Sequence, residues 1–270
     1  MVTFDDLVDH ISRPRVAFDP ALDIVKLKPD ITQQEALAVQ LAVKRRRVAE
    51  GDSICGHQAS FTSAGVRKLF PGSPRPMVGT VLASQLRADG DEVPLDGTEM
   101  FIESEMGLIL GRDLEGPDLP PMQVLAAIDG FLPAIEVVQV APGIREGAYS
   151  YPHLIAVQKD SAGFFVLGSR ITSPRSFDPR LEGCLVSIDG AAKAAATGFE
   201  AMGSPLIVVA AIAKGLHAIG EKLHAGQLIF TGSLAPQQIV TRDSLVAQLD
   251  FQTLGSVSVR LRAETDPAVS

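Results

Sequence analysis

Glu103, Glu105 and Glu136 are the residues of this 270-residue chain whose type and spacing point most directly to chemistry. Glu103-Ser104-Glu105 lies inside the apolar run Met100-Phe101-Ile102 to Leu108-Ile109-Leu110, and Glu136 lies inside Leu132-Pro133-Ala134-Ile135-Glu136-Val137-Val138. Both runs read as core strands, where an unpaired carboxylate is costly unless it gains a partner or a metal. A strand sends alternate side chains to one face, so Glu103 and Glu105 point together while Ser104 points away. Hard divalent cations prefer oxygen ligands, and Mg2+ or Mn2+ is commonly held by a few carboxylates with water or substrate oxygens completing the shell. Spacing alone leaves a plainer reading open: Glu103 and Glu105 facing solvent from an edge strand, with Glu136 paired to an arginine such as Arg145.

The elements that must position these residues can be read from pattern. Thr32 with Glu35 three residues later predicts a capped helix, continued by Ala36, Leu37, Val39, Leu41 and Val43 and stopped at Gly51. A second short helix is expected after Thr62-Ser63. Pro71, Pro74 and Pro76 then mark a boundary between a small, mostly helical N-terminal region (1–75) and the main body (76–270). In the body, strands are expected at 100–110, 134–140, 163–168, 185–188, 227–230, 245–251 and 256–261. Helices are expected at 122–128 and 204–223, the latter apolar enough for either a core or an interface. Strands outnumber helices and do not alternate with them, which predicts an α+β body. The Ala-rich stretch 191–196 is the one low-complexity tract.

Composition narrows the function classes. A net charge of -8 provides no overall field to attract nucleic acid or an anionic membrane surface, and Lys44-Arg45-Arg46-Arg47 reads as a solvated helix face. Hydrophobic residues make up 46%, which suits a packed core, yet no apolar run is expected to span a bilayer. The N-terminus lacks the basic start and apolar core of a secretory signal. Cys55 and Cys184 are far apart and read as reduced thiols of a cytoplasmic protein. There is no phosphate loop, dinucleotide fingerprint, paired-cysteine zinc pattern or helical metalloprotease pair. A Ser-His-Asp set built on His57 and Asp160 lacks a nucleophile elbow.

Six segments in order carry a resemblance. They are Glu103-x-Glu105-x-Gly-Leu-Ile-Leu-Gly-Arg-Asp113, Pro133-Ala-Ile-Glu136-Val-Val, Ser161-Ala-Gly163-Phe-Phe-Val-Leu-Gly168, Gly203-Ser-Pro205-Leu, Leu223-x-Ala-Gly226-x-Leu-Ile-Phe-Thr231-Gly232-Ser233 and Leu254-Gly255-Ser256-Val-Ser-Val. From about residue 40 to the C-terminus the chain resembles the 2-keto-4-pentenoate hydratase and 2-oxohexenedioate decarboxylase group of the fumarylacetoacetate hydrolase superfamily. The resemblance implies a mixed β-roll and a divalent metal, Mg2+ or Mn2+, held by Glu103, Glu105 and Glu136. It implies hydration of 2-hydroxy-2,4-dienoates or 2-oxo-enoic acids in aromatic-compound catabolism. The alternatives are decarboxylation of a 2-oxo-3-enedioate, or a non-catalytic paralogue or partner subunit of such an enzyme. A homo-oligomer is implied, with a small 2-oxo acid as substrate.

Ser161, Thr231, Gly232 and Ser233 fall on segments that the family places near the substrate, although a Gly-Ser turn closing a hairpin accounts for 231–233 equally well. Three departures stand out. Gln58 replaces the family's lysine in Gly56-His57-Gln58-Ala59-Ser60, Gln158-Lys159 replaces its Asp-Asn pair, and Gln139 replaces an aspartate. Gln58 can donate a hydrogen bond but cannot shuttle a proton. Lys159, together with His57, is therefore expected to supply the acid-base function, and a Lys159 that simply points to solvent remains open.

Overall fold

Thr32 caps its helix as predicted. Its hydroxyl accepts the Glu35 N–H at 3.2 Å, and the Glu35 carboxylate accepts the Thr32 N–H at 2.8 Å, a reciprocal capping box. The protein, a computed structural model, is described over residues 2–12, 24–69, 76–95, 100–139, 149–157 and 163–263. In chain order the elements are α1 (Phe4–Ser12), α2 (Ile24–Leu27), α3 (Gln33–Ala49), β1 (Ile54–Ser60), α4 (Ala64–Leu69), β2 (Met77–Leu82), β3 (Leu86–Ala88), β4 (Glu92–Leu95) and β5 (Met100–Leu110). There follow α5 (Pro121–Ala127), β6 (Ile128–Gln139), α6 (Tyr151–Val157), β7 (Phe164–Leu167), β8 (Gly183–Ile188), β9 (Ala191–Thr197), α7 (Pro205–His217), β10 (Leu228–Phe230), β11 (Gln238–Val240), β12 (Val246–Phe251) and β13 (Gly255–Ala263).

Two sheets result. The first runs β2-β1-β10-β5-β6-β7-β3, with β11 also bonded to β5; the second runs β4-β13-β12-β8-β9. Alternation along β5 sends Ile102, Met106 and Leu108 into the main core, shared with Val186, Leu249, Val257 and Val259 of the second sheet. Glu103 and Glu105 therefore lie on the opposite face of the first sheet. On that face Phe165 of β7 and Phe230 of β10, separated by two intervening strands, bring their rings to 4.3 Å. Flat strands spaced at about 4.8 Å would hold them much farther apart. The sheet is thus curled, with the ring pair filling the inside of the roll. The α+β class and the β-roll follow from this topology.

Several boundaries differ from expectation. The division at residue 75 assigns β1 to the N-terminal region, yet β1 is hydrogen-bonded between β2 and β10 inside the first sheet. The N-terminal helices α1, α2 and α3 instead form a separate small core with α6, through Leu7, Ile11, Ile24, Val39, Val43, Leu154 and Ile155. Helix α7 stops at His217 rather than 223, because Gly220 at φ +75° turns the chain and the Glu221 N–H bonds back to the Leu216 carbonyl. Its Val208, Val209, Ile212, Ala213 and Leu216 are buried, which assigns it to the core. Gly198–His217 does reach the length and hydropathy of a membrane span, contrary to expectation, but half of it is buried inside the fold. The strand expected from 134 begins at Ile128, directly after α5. The Ala-rich tract forms edge strand β9, paired to β8 across Asp189-Gly190, both at positive φ as a two-residue hairpin turn requires.

Candidate metal centre

β5 has hydrogen-bonded neighbours on both sides, β10 and β11 on one and β6 on the other, so the edge-strand reading of Glu103 and Glu105 does not hold. Antiparallel register sets Glu103 directly opposite Glu136, and Glu105 opposite Ala134. One oxygen from each of the three glutamates lies within 4.8 Å of the others. Glu105 and Glu136 are buried, at 0% and 4% exposure, while Glu103 is partly open to solvent.

Burial raises all three carboxyls, and repulsion by neighbouring carboxylates adds to the rise of Glu105 and Glu136. Desolvation pushes Glu105 up to about 8, with the charge of Glu103 adding to the effect. Glu136 is raised well above the ordinary carboxyl range by burial, then by Glu103 and Glu105, and Glu103 is raised by burial. Among the described residues no lysine, arginine or histidine forms an ion pair with any of them. Oε1 of Glu105 is buried without a hydrogen-bond partner. Three converging carboxylates, uncompensated charge and an orphaned oxygen fit a hard divalent cation.

Each carboxylate also meets one N–H donor. Gly232 N–H donates to Oε2 of Glu105 at 2.9 Å, Gln237 Nε2 donates to Oε1 of Glu103, and the Gln58 side chain donates to Glu136. Gln58 reaches this face because β1 pairs Gln58 with Phe230, which in turn pairs with Gly107. Gly232 adopts φ +78°, and a Cβ there would stand 2.5 Å from the Ala59 carbonyl, so glycine is required for its N–H to face Glu105. Gln237 was not anticipated from sequence; its signal lies in the long-range pairing of β11 with β5.

The other expected site residues divide. His57 precedes Gln58 on one strand and so faces the other way. It lines a cavity of about 860 Å3 with Lys44, Arg45, Glu221, Lys222 and His224, and none of the three glutamates borders that cavity. This placement does not bring His57 to the carboxylates. Thr231 is fully buried; its hydroxyl accepts the Met106 N–H at 3.2 Å and lies 3.3 Å from the Gly232 carbonyl. Gly232 N–H is engaged by Glu105, and Ser233 Oγ donates to the Ala235 carbonyl at 2.8 Å while remaining partly exposed. Lys159, Ser161, Gln158 and Arg145 lie outside the described residues.

Burial first, and then the nearby charge of Lys44, lowers His57 to about 4. A depressed folded-state value means that the unfolded chain takes up this proton first, so stability falls as pH drops from about 6.5 towards 4. This group alone is expected to remove roughly 2 kcal/mol between pH 7.5 and pH 5. Urea unfolding of wild type and His57→Gln at both pH values checks this. An equally steep acid limb in the variant would rule it out.

A family model described as "Fumarylacetoacetate (FAA) hydrolase C-terminal" matches residues 56–262. The 2-keto-4-pentenoate hydratase of Paraburkholderia xenovorans (strain LB400) is 30% identical over 231 residues, covering 85% of this chain and 84% of its own. A 4-oxalocrotonate decarboxylase from Pseudomonas sp is 28% identical over 261 residues, covering 94% and 99%. The 4-oxalocrotonate decarboxylase from Pseudomonas putida G7, solved in complex with magnesium and adipate, superimposes with a TM-score of 0.85 at 25% identity, covering 97% of this chain and 99% of that one. With the β-roll, the three converging glutamates and these likenesses together, the chain belongs to the fumarylacetoacetate hydrolase family, among relatives that are hydratases of 2-hydroxydienoates and a decarboxylase.

Proposed function

We propose that this protein is a divalent-metal-dependent hydro-lyase that adds water to a 2-hydroxy-2,4-dienoate or related 2-oxo-enoic acid. The observation that carries this reading is the convergence of Glu103 with the buried Glu105 and Glu136, without a basic partner among the described residues. These three residues would hold Mg2+ or Mn2+. When bound, such a cation supplies Lewis-acid stabilisation of negative charge on the oxygens of a 2-oxo acid. The chain's own groups do the rest. Ala134, Phe165 and Phe230 form an apolar floor beside the carboxylates, which suits a hydrocarbon chain and limits water. Ser233, partly exposed next to Gly232, and Ser161 are the proposed contacts to the substrate's carboxylate. Hydration needs one proton delivered to the carbon chain and one water oxygen added to it. Gln58 can orient a donor or water by hydrogen bonding but cannot release a proton, and Lys159 is the proposed proton carrier.

Decarboxylation of a 2-oxo-3-enedioate is the second reading, favoured by the likeness to the magnesium- and adipate-bound decarboxylase over nearly the whole chain. Free thiols at Cys55 and Cys184 support a cytoplasmic setting. Exposed Leu181, Leu185 and Phe199, near the free edge of β9, support self-association. The deciding experiment follows ultraviolet absorbance of purified protein with Mg2+ or Mn2+ and either 2-hydroxypenta-2,4-dienoate or 2-oxo-3-hexenedioate. Metal-dependent loss of the dienoate signal is expected. Turnover of the enedioate alone would establish the decarboxylase, and silence with both despite metal binding would point to a changed substrate or to a non-catalytic or partner role.

A further inference from the structure

We infer that residues 231–237 form a clamp that selects which oxygens of Glu103 and Glu105 are presented to a cation, with Gln237 the positioning residue for Glu103. The inference rests on the metal-centre reading and deepens it. On one side of β5, β10 pairs with residues 107–109 and β11 pairs with 100–102, leaving 103–106 between them. The seven residues 231–237 cross that gap opposite only four, so the chain must bulge away from regular pairing there. Bulges re-aim backbone and side-chain groups. Here the bulge is pinned at several points. Thr231 N–H bonds the Met106 carbonyl at 3.3 Å, Leu234 N–H bonds the Ser104 carbonyl at 2.7 Å, and Ala235 N–H bonds Ser104 Oγ at 3.0 Å.

Ser104, the buried residue that faces away from both glutamates, thereby fixes the segment that reaches over to them. Pinned in this way, the segment directs Gly232 N–H to Oε2 of Glu105 and the Gln237 amide to Oε1 of Glu103. With those oxygens engaged, Oε1 of Glu105 is left without a partner. Glu103 is the least buried of the three glutamates. Gln237 is the side-chain donor that holds it. Hydrogen bonds from outside the ligand set orient metal-binding side chains, and losing one typically weakens metal affinity by about 10- to 100-fold. Gln237 is itself exposed, so its side chain contributes little to the packed core.

The test measures Mn2+ binding, by the electron paramagnetic resonance of free Mn2+, to wild type, Gln237→Ala and Gln237→Met. Methionine keeps the length and removes the N–H. Both variants are expected to bind Mn2+ about 10-fold or more weakly than wild type, with the metal-free melting temperature unchanged. Affinity of Gln237→Met within twofold of wild type would overturn the clamp alone. So would loss of affinity that tracks a lowered metal-free melting temperature, since that is a folding role. Wild type that binds no Mn2+ would overturn the clamp together with the metal centre.

Discussion

Glu105→Gln is expected to lower divalent-cation affinity and dienoate turnover by about 1,000-fold or more, equivalent to about 4 kcal/mol. The substitution keeps shape and volume, and the amide oxygen can still accept the Gly232 N–H that now bonds Oε2. What changes is the other atom. Oε1 is the buried, unpartnered oxygen of the cluster, and an amide NH2 in its place offers a donor where a cation needs an acceptor. The metal-free fold should not suffer. Burial and the charge of Glu103 both oppose ionisation of Glu105, so a neutral side chain relieves repulsion, and an amide can still hydrogen-bond both Glu136 and the Gly232 N–H. Calorimetric titration with Mg2+ and thermal melting with and without metal check both halves. Wild-type Mg2+ affinity in Glu105→Gln would remove Glu105 from the centre, and a collapse of the metal-free melting temperature would make its role structural.

The contrast between local and long-range information explains what the sequence revealed. The pairing of Glu103 with Glu105 on one face was legible because strand alternation is a property of consecutive residues. The capping box at Thr32 and Glu35 was legible for the same reason. Glu136 was different. Its position opposite Glu103 depends on the register of β5 with β6 across a connection that includes α5, and spacing says nothing about that register. Its apolar run marks it as a core carboxylate, and the resemblance joins it to the other two. Gln237 had no local signal, since its partner is set by β11 returning alongside β5.

Residues 54–60 form a strand, and adjacent strand residues face opposite ways, so His57 and Gln58 lie on different faces. The edge strand β9 hid behind alanine, a weak strand former, although Asp189-Gly190 is a hairpin turn signal in its own right. The boundary at residue 75 followed the prolines, whereas β1 follows its partners β2 and β10. Chain breakers punctuate local structure and carry no information about which strands are bonded across them.

Gln58→Lys is expected to weaken Mg2+ binding by about 10- to 100-fold, or about 1.4 to 2.8 kcal/mol, and to stabilise the metal-free protein. The Gln58 side chain is buried, donates to Glu136 and carries no charge to offset the three carboxylates. An ammonium in the same place would pair with Glu136, which burial and two neighbouring carboxylates now hold well above the ordinary range. That pair satisfies the cluster without metal and competes with metal for one of its ligands. The same ammonium can deliver a proton, which the amide cannot, so at saturating Mg2+ dienoate consumption should rise. Binding isotherms, metal-free melting and steady-state rates at saturating Mg2+ separate these effects. Unchanged Mg2+ affinity would mean that residue 58 does not share the field of the glutamates. Slower turnover at saturating metal would mean that the chemistry requires a neutral donor at this position, and that proton delivery belongs to another group.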